Sequence, residues 1–221
     1  MSTLKINRTQ FGQSNTATNN FTLTAEAADG TIKLARGNAG ATTQDVLTVD
    51  ASGNLGSIDN SVLERMVLRT AVATTSGTSV DFTGIPSWVK KITVMFKGVS
   101  TSGSTFPMVQ LGSGSLTTTG YTGGACYFTN GGAVVTNTQT AGFAFSANAG
   151  ASDVRTGQLT LSLLTGNTWV GSAVSSFDSG GVLGFGAGSV ALSGSIDRVR
   201  VTTSNGTDTF DGGSVNILLE G

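Results

Sequence analysis

The chain contains no histidine, and its 221 residues include one cysteine and two prolines. Without histidine, neither Ser-His-Asp nor Cys-His catalytic machinery can be built within the chain, and zinc sites of the usual Cys/His kind are excluded. The single Cys126 excludes an intrachain disulfide and is interpreted as a small buried hydrophobe rather than a reactive thiol.

Long apolar runs are also lacking. No run is long enough to cross a bilayer, and the opening MSTLKINRTQ has no apolar core of signal-peptide length. We therefore expect synthesis in the cytoplasm without membrane insertion.

Charge is scarce: charged residues make up 11% of the chain, whereas globular domains average about 25%. The 12 basic and 13 acidic residues are scattered and form no basic patch, which argues against nucleic-acid binding. The 32 glycines, with Ser, Thr and Asn at most polar positions, are typical of an all-β protein with short strands. A surface of hydroxyls, amides and small residues suits large protein contacts or carbohydrate contacts.

The stretch from Asn20 to Gly56 alternates apolar and polar residues in short runs that predict β-strands. The turn signals between the runs are Asp29-Gly30, Gly37-Asn38 and Ser52-Gly53-Asn54. The apolar members are Phe21, Leu23, Ile32, Leu34, Val46, Leu47 and Val49. They are too few to form a core, so we expect this segment to bury its apolar face against another chain or a neighbouring domain.

The first 20 residues form a polar arm in which Leu4, Ile6 and Phe11 are isolated apolar anchors. Such an arm would become ordered on docking to a partner. Together with the strands that follow it, the arm defines an attachment segment over residues 1–60.

Residues 61–72 are predicted to connect this segment to the rest of the chain. Ser61-Val62-Leu63-Glu64 matches a helix capping box and predicts one or two helical turns, with Met66 and Val67 on the same face as Leu63. The same residues can also be interpreted as a strand that enters LRTAVAT.

Residues 73–221 are predicted to form about eight antiparallel strands in a jelly-roll-like β-sandwich. Gly166-Asn167 and Asn205-Gly206 are predicted to close two β-hairpins. The strand-like runs are SVDFTGI, WVKKITVMFKGV, FPMVQLGSG, GACYFT, AGFAFSA, QLTLSLL, TWVGSAV, SIDRVRVTT and SVNILLE.

Candidates for chemistry are weak. Asp208 and Asp211, with Asp153 and Asp178 elsewhere, could form a glycosidase-like carboxylate pair, but a turn or solvated strand edge explains the first two. The oxygens at 205–211 could bind Ca²⁺, although the spacing of a known calcium loop is absent. GFGAGS at 184–189 lacks the third glycine of a phosphate-binding fingerprint and is interpreted as a flexible loop. We expect no cofactor and no enzymatic activity.

Aromatic side chains are the candidates for stacking on a sugar ring. Trp169 beside its hairpin turn, Tyr121 and Tyr127 are the predicted contacts, whereas Trp88 after Pro86 is expected to pack at a sheet edge. The Gly/Ser-rich connections between strands are the predicted binding loops. They span residues 100–106, 112–124 and 178–189.

Several blocks of the sequence resemble tail-fibre and related appendage proteins of tailed bacteriophages and prophages. The blocks are GTIKLARGNAGATTQDVLTVDASGNLG, TSVDFTGIPSWVKKITVMFKGVS, LTLSLLTGNTWVGS and LSGSIDRVRVTTSNGTDTFDGGSVNILLE. The resemblance spans nearly all of residues 20–221. It implies a homotrimeric virion protein whose N-terminal region attaches to the particle and whose β-rich head faces outward.

We therefore expect a structural virion protein, a short tail fibre or tail-tip appendage that mediates attachment to the host surface. Its expected partners are other copies of the chain, virion proteins bound through residues 1–60, and a host glycan or protein. A capsid fibre or decoration protein without a receptor is the alternative, and a glycan depolymerase is a distant third.

Overall fold

The structure is a computed structural model of the whole chain. It describes residues 8–11, 20–25, 32–38, 41–49, 51–53, 55–58, 66–129, 131–147, 150–151, 153–178 and 181–221. All regular elements in these ranges are β-strands, all strand pairs are antiparallel, and no helix occurs there. The chain divides into two compact units, Met1–Glu64 and Arg65–Gly221.

The first unit, which we call the N-terminal unit, contains a five-stranded antiparallel meander in the order β1-β2-β3-β4-β5. Its strands are β1 (Arg8–Phe11), β2 (Phe21–Ala25), β3 (Ile32–Asn38), β4 (Ala41–Val49) and β5 (Leu55–Ile58). The alternation over residues 20–56 correctly predicted strands here, but β3 and β4 are longer than the pattern suggested, and the predicted turn at Gly37-Asn38 lies within β3.

The second unit, which we call the head, contains two antiparallel sheets. The smaller sheet has the order β11-β10-β18-β8, and β14 also pairs with β10. Its strands are β8 (Ser79–Thr83), β10 (Pro107–Ser113), β11 (Ser115–Leu116), β14 (Phe143–Ala144) and β18 (Arg198–Thr203).

The larger sheet has the order β13-β12-β17-β16-β15-β9-β19-β6, and β7 also pairs with β19. Its strands are β6 (Met66–Leu68), β7 (Val72–Ala73), β9 (Lys91–Thr101), β12 (Thr122–Phe128), β13 (Val134–Gln139), β15 (Arg155–Thr165), β16 (Thr168–Phe177), β17 (Val182–Ala191) and β19 (Phe210–Glu220).

One apolar core joins the two sheets of the head. Alternate residues of β9, Ile92, Val94 and Phe96, are buried in the same cluster as Val199 and Val201 of β18. This burial follows from the period of two along a strand, which sends every second side chain to one face. The head is therefore an all-β unit of two sheets over a shared core, which is compatible with a β-sandwich.

The predicted hairpin at Gly166-Asn167 is confirmed. Strands β15 and β16 pair antiparallel from Arg155↔Phe177 to Thr165↔Thr168. Gly166 has a φ of 55°, in the left-handed region that glycine adopts without a steric penalty.

The predicted hairpin at Asn205-Gly206 is wrong. A turn is present, with Gly206 N–H donating to the Thr203 carbonyl at 3.0 Å, but β18 pairs with β10 and β8, while β19 pairs with β9, β6 and β7. The chain crosses from one sheet to the other at this turn because each strand finds its partners elsewhere in the head.

Two other segments, the glycine-rich residues 184–189 and the connector at residues 61–72, contain β-strands. GFGAGS at 184–189 lies within β17 and is not a flexible loop. Met66–Leu68 forms β6, in line with the strand alternative for the connector, whereas residues 61–65 lie outside the described residues.

Candidate functional site

The aromatic residues proposed to stack on sugars are mostly in the core. Trp169 is 1% exposed, so its predicted place at the surface is wrong. The hairpin turn before it is only two residues long, so Trp169 is already within the strand pairing and its ring points into the core beside Val190.

Tyr121 is also buried, at 3% exposure, and has a structural role. Its hydroxyl accepts a hydrogen bond from Leu111 N–H at 2.8 Å and donates one to the Thr117 carbonyl at 3.0 Å. Burial raises the pKa of this phenol to about 12, although the Leu111 hydrogen bond opposes the shift.

Tyr127 is half-buried and faces the interior. The centroid of its ring lies 6.1 Å from that of Phe177. The Tyr127 side chain packs against a small buried cluster that contains Ala125 and Ala144. Two of the three proposed aromatics are therefore buried, and the third is partly buried.

The carboxylates considered for catalysis hold turns and strand ends together. Asp208 Oδ2 accepts hydrogen bonds from Thr105 Oγ1 at 2.6 Å and from Thr105 N–H at 3.2 Å. The Thr105 hydroxyl is the main reason why the pKa of Asp208 lies below its ordinary value. Asp211 accepts a hydrogen bond from the Ser100 hydroxyl.

The third candidate carboxylate, Asp153, pairs with Arg155 at 3.2 Å. Asp178 lies directly after β16 and accepts a 3.4 Å hydrogen bond from Thr156 Oγ1. Across the part of the chain that the structure describes, no three Asp, Glu or Cys side chains gather into a possible metal site. The carboxylates therefore have identifiable structural roles.

The predicted attachment residues are only partly covered. Leu4 and Ile6 lie outside the described residues, and Phe11 ends β1, where it pairs with Phe21. Among the predicted loops, 102–106 is a connection, 112–124 includes β11, and 178–189 is largely β17.

The head instead presents a continuous apolar area on the outer face of β13, β12, β17 and β16. We call this area, defined by Cys126, Phe128, Val134, Val174, Leu183 and Phe185, the outer patch. Phe128, Val134, Val174 and Leu183 are each between 44% and 53% exposed. Their neighbours along each strand, such as Ala125 and Ala173, are buried on the opposite face.

The strand register brings these residues together. Cys126 is paired with Phe185, which is paired with Val174, and Phe128 is paired with Leu183 on one side and Val134 on the other. The rings of Phe128 and Phe185 meet edge to face with centroids 5.7 Å apart. Cross-strand neighbours of this kind stabilise each other, so the patch is one packed surface rather than isolated exposed residues.

A shallow concavity of about 850 Å³ lies along the patch. Its floor is formed by the cross-strand row Gly124, Ala187 and Ser172, which have no side chain or a small one. The larger side chains of Phe185 and Val174 in the adjacent row project further from the sheet and form one wall. Thr136 and Thr138 of β13 close the remaining side. The result is an apolar hollow bordered by hydroxyl groups.

The four strands under the outer patch contain no Asp, Glu, Lys or Arg. The sequence shows the same property as three charge-free runs, residues 98–152 with β12 and β13, residues 156–177 with β16, and residues 179–196 with β17. Those runs are the signal from which the patch could have been suspected, but runs of uncharged residues also form cores. Only the strand register shows which alternate residues face outward.

A second apolar surface lies on the N-terminal unit. Phe21, Leu23 and Ile32 are between 37% and 46% exposed. The pairs Leu23↔Leu34, Leu34↔Leu47 and Ile32↔Val49 place Leu34, Leu47 and Val49, all half-buried, on the same face. We call this face, defined by Phe21, Leu23, Ile32, Leu34, Leu47 and Val49, the N-terminal apolar face.

The opposite face of the same sheet is the better covered one. Thr22 is fully buried and its hydroxyl donates to the Gly37 carbonyl at 3.0 Å, and its cross-strand partner Ala35 is 2% exposed. This distribution is the reverse of a self-contained sheet, in which the large apolar side chains are the covered ones.

None of the elements in the described ranges is a helix that could span a membrane. No protein-family model matches this chain, and no curated protein or solved structure matches it either. The two surfaces differ in charge: the strands of the outer patch have no Asp, Glu, Lys or Arg, whereas the exposed Arg36, the cross-strand partner of Phe21, shares the N-terminal apolar face.

Proposed function

We propose that this chain is a structural virion protein of a tailed phage, a short tail fibre or tail-tip appendage that assembles as a homotrimer and attaches the particle to the host surface. Residues 1–60 mediate association and attachment to the particle. The head is a jelly-roll-like β-sandwich that faces outward. The resemblance to tail-fibre proteins supports the phage assignment.

The observation that carries the proposal is the N-terminal apolar face. Its large side chains remain exposed while the small Thr22 and Ala35 behind them are buried. Burying exposed apolar area of this kind lowers the free energy by about 25 cal/mol per Å². Packing against copies of the same sheet removes that area from water and explains why the sequence retains it.

The head supports a binding role rather than chemistry. The candidate carboxylates hold turns, and the chain has no histidine to serve as a base. Attachment to a host glycan or protein would use outward connections such as residues 102–106. The alternative is a capsid decoration protein that needs the same assembly and no receptor.

Immunogold electron microscopy of the phage, combined with an adsorption assay, tests the proposal. We expect label at the tail, and we expect the purified full-length protein to compete with phage for host cells. Label on the capsid together with no competition would favour the decoration alternative. Absence of label from particles that contain all their other proteins would contradict both.

A further inference from the structure

We propose that the outer patch of the head is an interface between copies of this chain, buried in the assembled protein. The inference rests on the homo-oligomer of the proposed function and adds a second contact, on the head, to the one made by the N-terminal apolar face. The occupant is the corresponding uncharged region of another copy.

The first argument is the contrast between the two halves of the larger sheet. On the outer face of β15, β9 and β19, Gln158 is exposed, Thr160 is half-buried, and Lys91 and Glu220 form an ion pair 3.0 Å apart. The exposed Met66 and Leu68 of β6 lie on this face as cross-strand partners of Glu220 and Leu218, so the two halves differ in charge rather than in apolar content. The outer patch at the other end of the same face has large apolar groups and no charge. Apolar patches rimmed by polar residues mark interaction sites in soluble proteins.

The second argument concerns charge. A face with a net charge repels its own copy, whereas the four strands of the outer patch contain no Asp, Glu, Lys or Arg whose charge would repel a copy or have to be desolvated. The hydroxyls at the rim, such as Thr136 and Thr138, can exchange hydrogen bonds across an interface without burying a charge. Interface cores are depleted of charge in this way.

The third argument is the edge strand. β13 ends the larger sheet, and within the described ranges no strand pairs with its free edge. The sequence VVTNTQ has no charge and no proline, and its six pairs with β12 contain no bulge. Proteins usually protect an open sheet edge with a charged residue, a proline or a bulge. For example, β8 at the edge of the smaller sheet carries Asp81. An unprotected β13 is suited to an edge that is covered in the assembly.

The size of the patch indicates how it acts. Four strands about 4.8 Å apart, with about six residues each rising about 3.3 Å, cover roughly 400 Å². That is about half of the roughly 800 Å² per partner in a stable interface. The outer patch therefore adds to an association that the N-terminal apolar face begins, and it is too small to hold the chains together alone.

Cys126 is a built-in probe because it is half-buried in the patch and is the only cysteine of the chain. The full-length protein is treated with a bulky maleimide, and the rate of thiol labelling is measured beside the sedimentation of the same sample. Four forms are compared: the wild type, Leu23→Asp to disrupt the N-terminal apolar face, Leu183→Lys on the patch, and Leu164→Lys as a control. Leu164 is 66% exposed at the β15–β16 hairpin, away from the patch.

We expect labelling to be severalfold slower in the wild type and in Leu164→Lys than in Leu183→Lys and Leu23→Asp. Leu183→Lys should remain largely assembled, whereas Leu23→Asp should dissociate. If wild-type oligomer and dissociated Leu23→Asp are labelled at the same rate, the patch is open in the assembly and this inference fails while the oligomer survives.

A chain that is monomeric in every form would overturn both proposals. A further outcome is that Cys126 of the oligomer is labelled slowly only after the neutral polysaccharide dextran is added. That result would assign the patch to a ligand and overturn the self-contact. Circular dichroism of each variant establishes that the compared rates belong to folded heads.

Discussion

Arg155 lies over the ring of Phe177, with the guanidinium carbon 4.7 Å from the ring centroid. The Arg155 side chain is fully buried and forms an ion pair with Asp153 at 3.2 Å. Burial lowers the pKa of Arg155 to about 10, and the nearby carboxylate of Asp153 opposes that shift. The buried guanidinium of Arg155 therefore contacts a carboxylate and an aromatic ring, and its Nη1 also donates to the Asp153 carbonyl at 3.3 Å.

Asp153→Asn is expected to destabilise the head because it removes the carboxylate that pairs with the buried Arg155 guanidinium. Removing one partner of a buried ion pair costs about 3–5 kcal/mol. Arg155→Met removes the charge and keeps much of the volume, so its cost should be smaller. Urea denaturation followed by tryptophan fluorescence measures both, and an equal loss in the two variants would contradict this account.

Tyr121 is expected to make the head less stable in alkali. Its pKa rises from 10.0 to about 12 on folding, a shift of about two units worth about 3 kcal/mol. Because the folded state holds the proton more tightly, this stabilisation is present below pH 10 and is lost between pH 10 and about 12.

The chain has two tyrosines, so Tyr127→Phe leaves Tyr121 as the only phenol. Absorbance of that variant at the tyrosinate band should show a single late ionisation. Tyr121→Phe should abolish the part of the alkaline instability that belongs to this group. An ionisation of Tyr121 at its ordinary pKa in the folded protein would contradict the hydrogen-bonded, buried position.

Gly186→Ala should destabilise the head because an added Cβ would lie 2.2 Å from the Ala144 carbonyl oxygen. That atom belongs to the backbone of β14, which cannot move aside cheaply, and overpacking of this kind costs about 1–3 kcal/mol. Gly124→Ala in the neighbouring β12 is the matched control, since its nearest contact is Asn137 O at 3.5 Å. Similar denaturation midpoints for the two variants would show that β14 does not pack tightly on β17.

Local sequence patterns predicted most of the long strands of the head but missed β13 and β17, and they did not predict the pairing partners. Ile92, Val94 and Phe96 alternate as expected and are buried, and the Gly166-Asn167 hairpin forms because both of its strands stay together. The turn at Asn205-Gly206 has the same local signal, yet the strands around it belong to different sheets. Pairing depends on contacts distant in sequence, which a turn motif does not contain.

The candidate site was harder to predict for a related reason. Trp169 beside its turn and Tyr121 are predicted to contact a sugar, but strand register buries the Trp169 ring, and hydrogen bonds to Leu111 and Thr117 accompany the burial of Tyr121. The glycines of GFGAGS were interpreted as flexible, whereas Gly186 is needed for close approach to β14. Whether a residue faces outward is decided by register and by the opposing sheet.

Sedimentation equilibrium of the full-length protein tests the central claim, association through the N-terminal apolar face, most directly. The account predicts a particle about three times the 22.2 kDa of one chain. Leu23→Asp should reduce that mass because it places a charge in the buried contact, whereas Leu23→Ile keeps the face apolar and should remain assembled. A wild-type protein that sediments as a folded 22.2 kDa monomer would contradict the account.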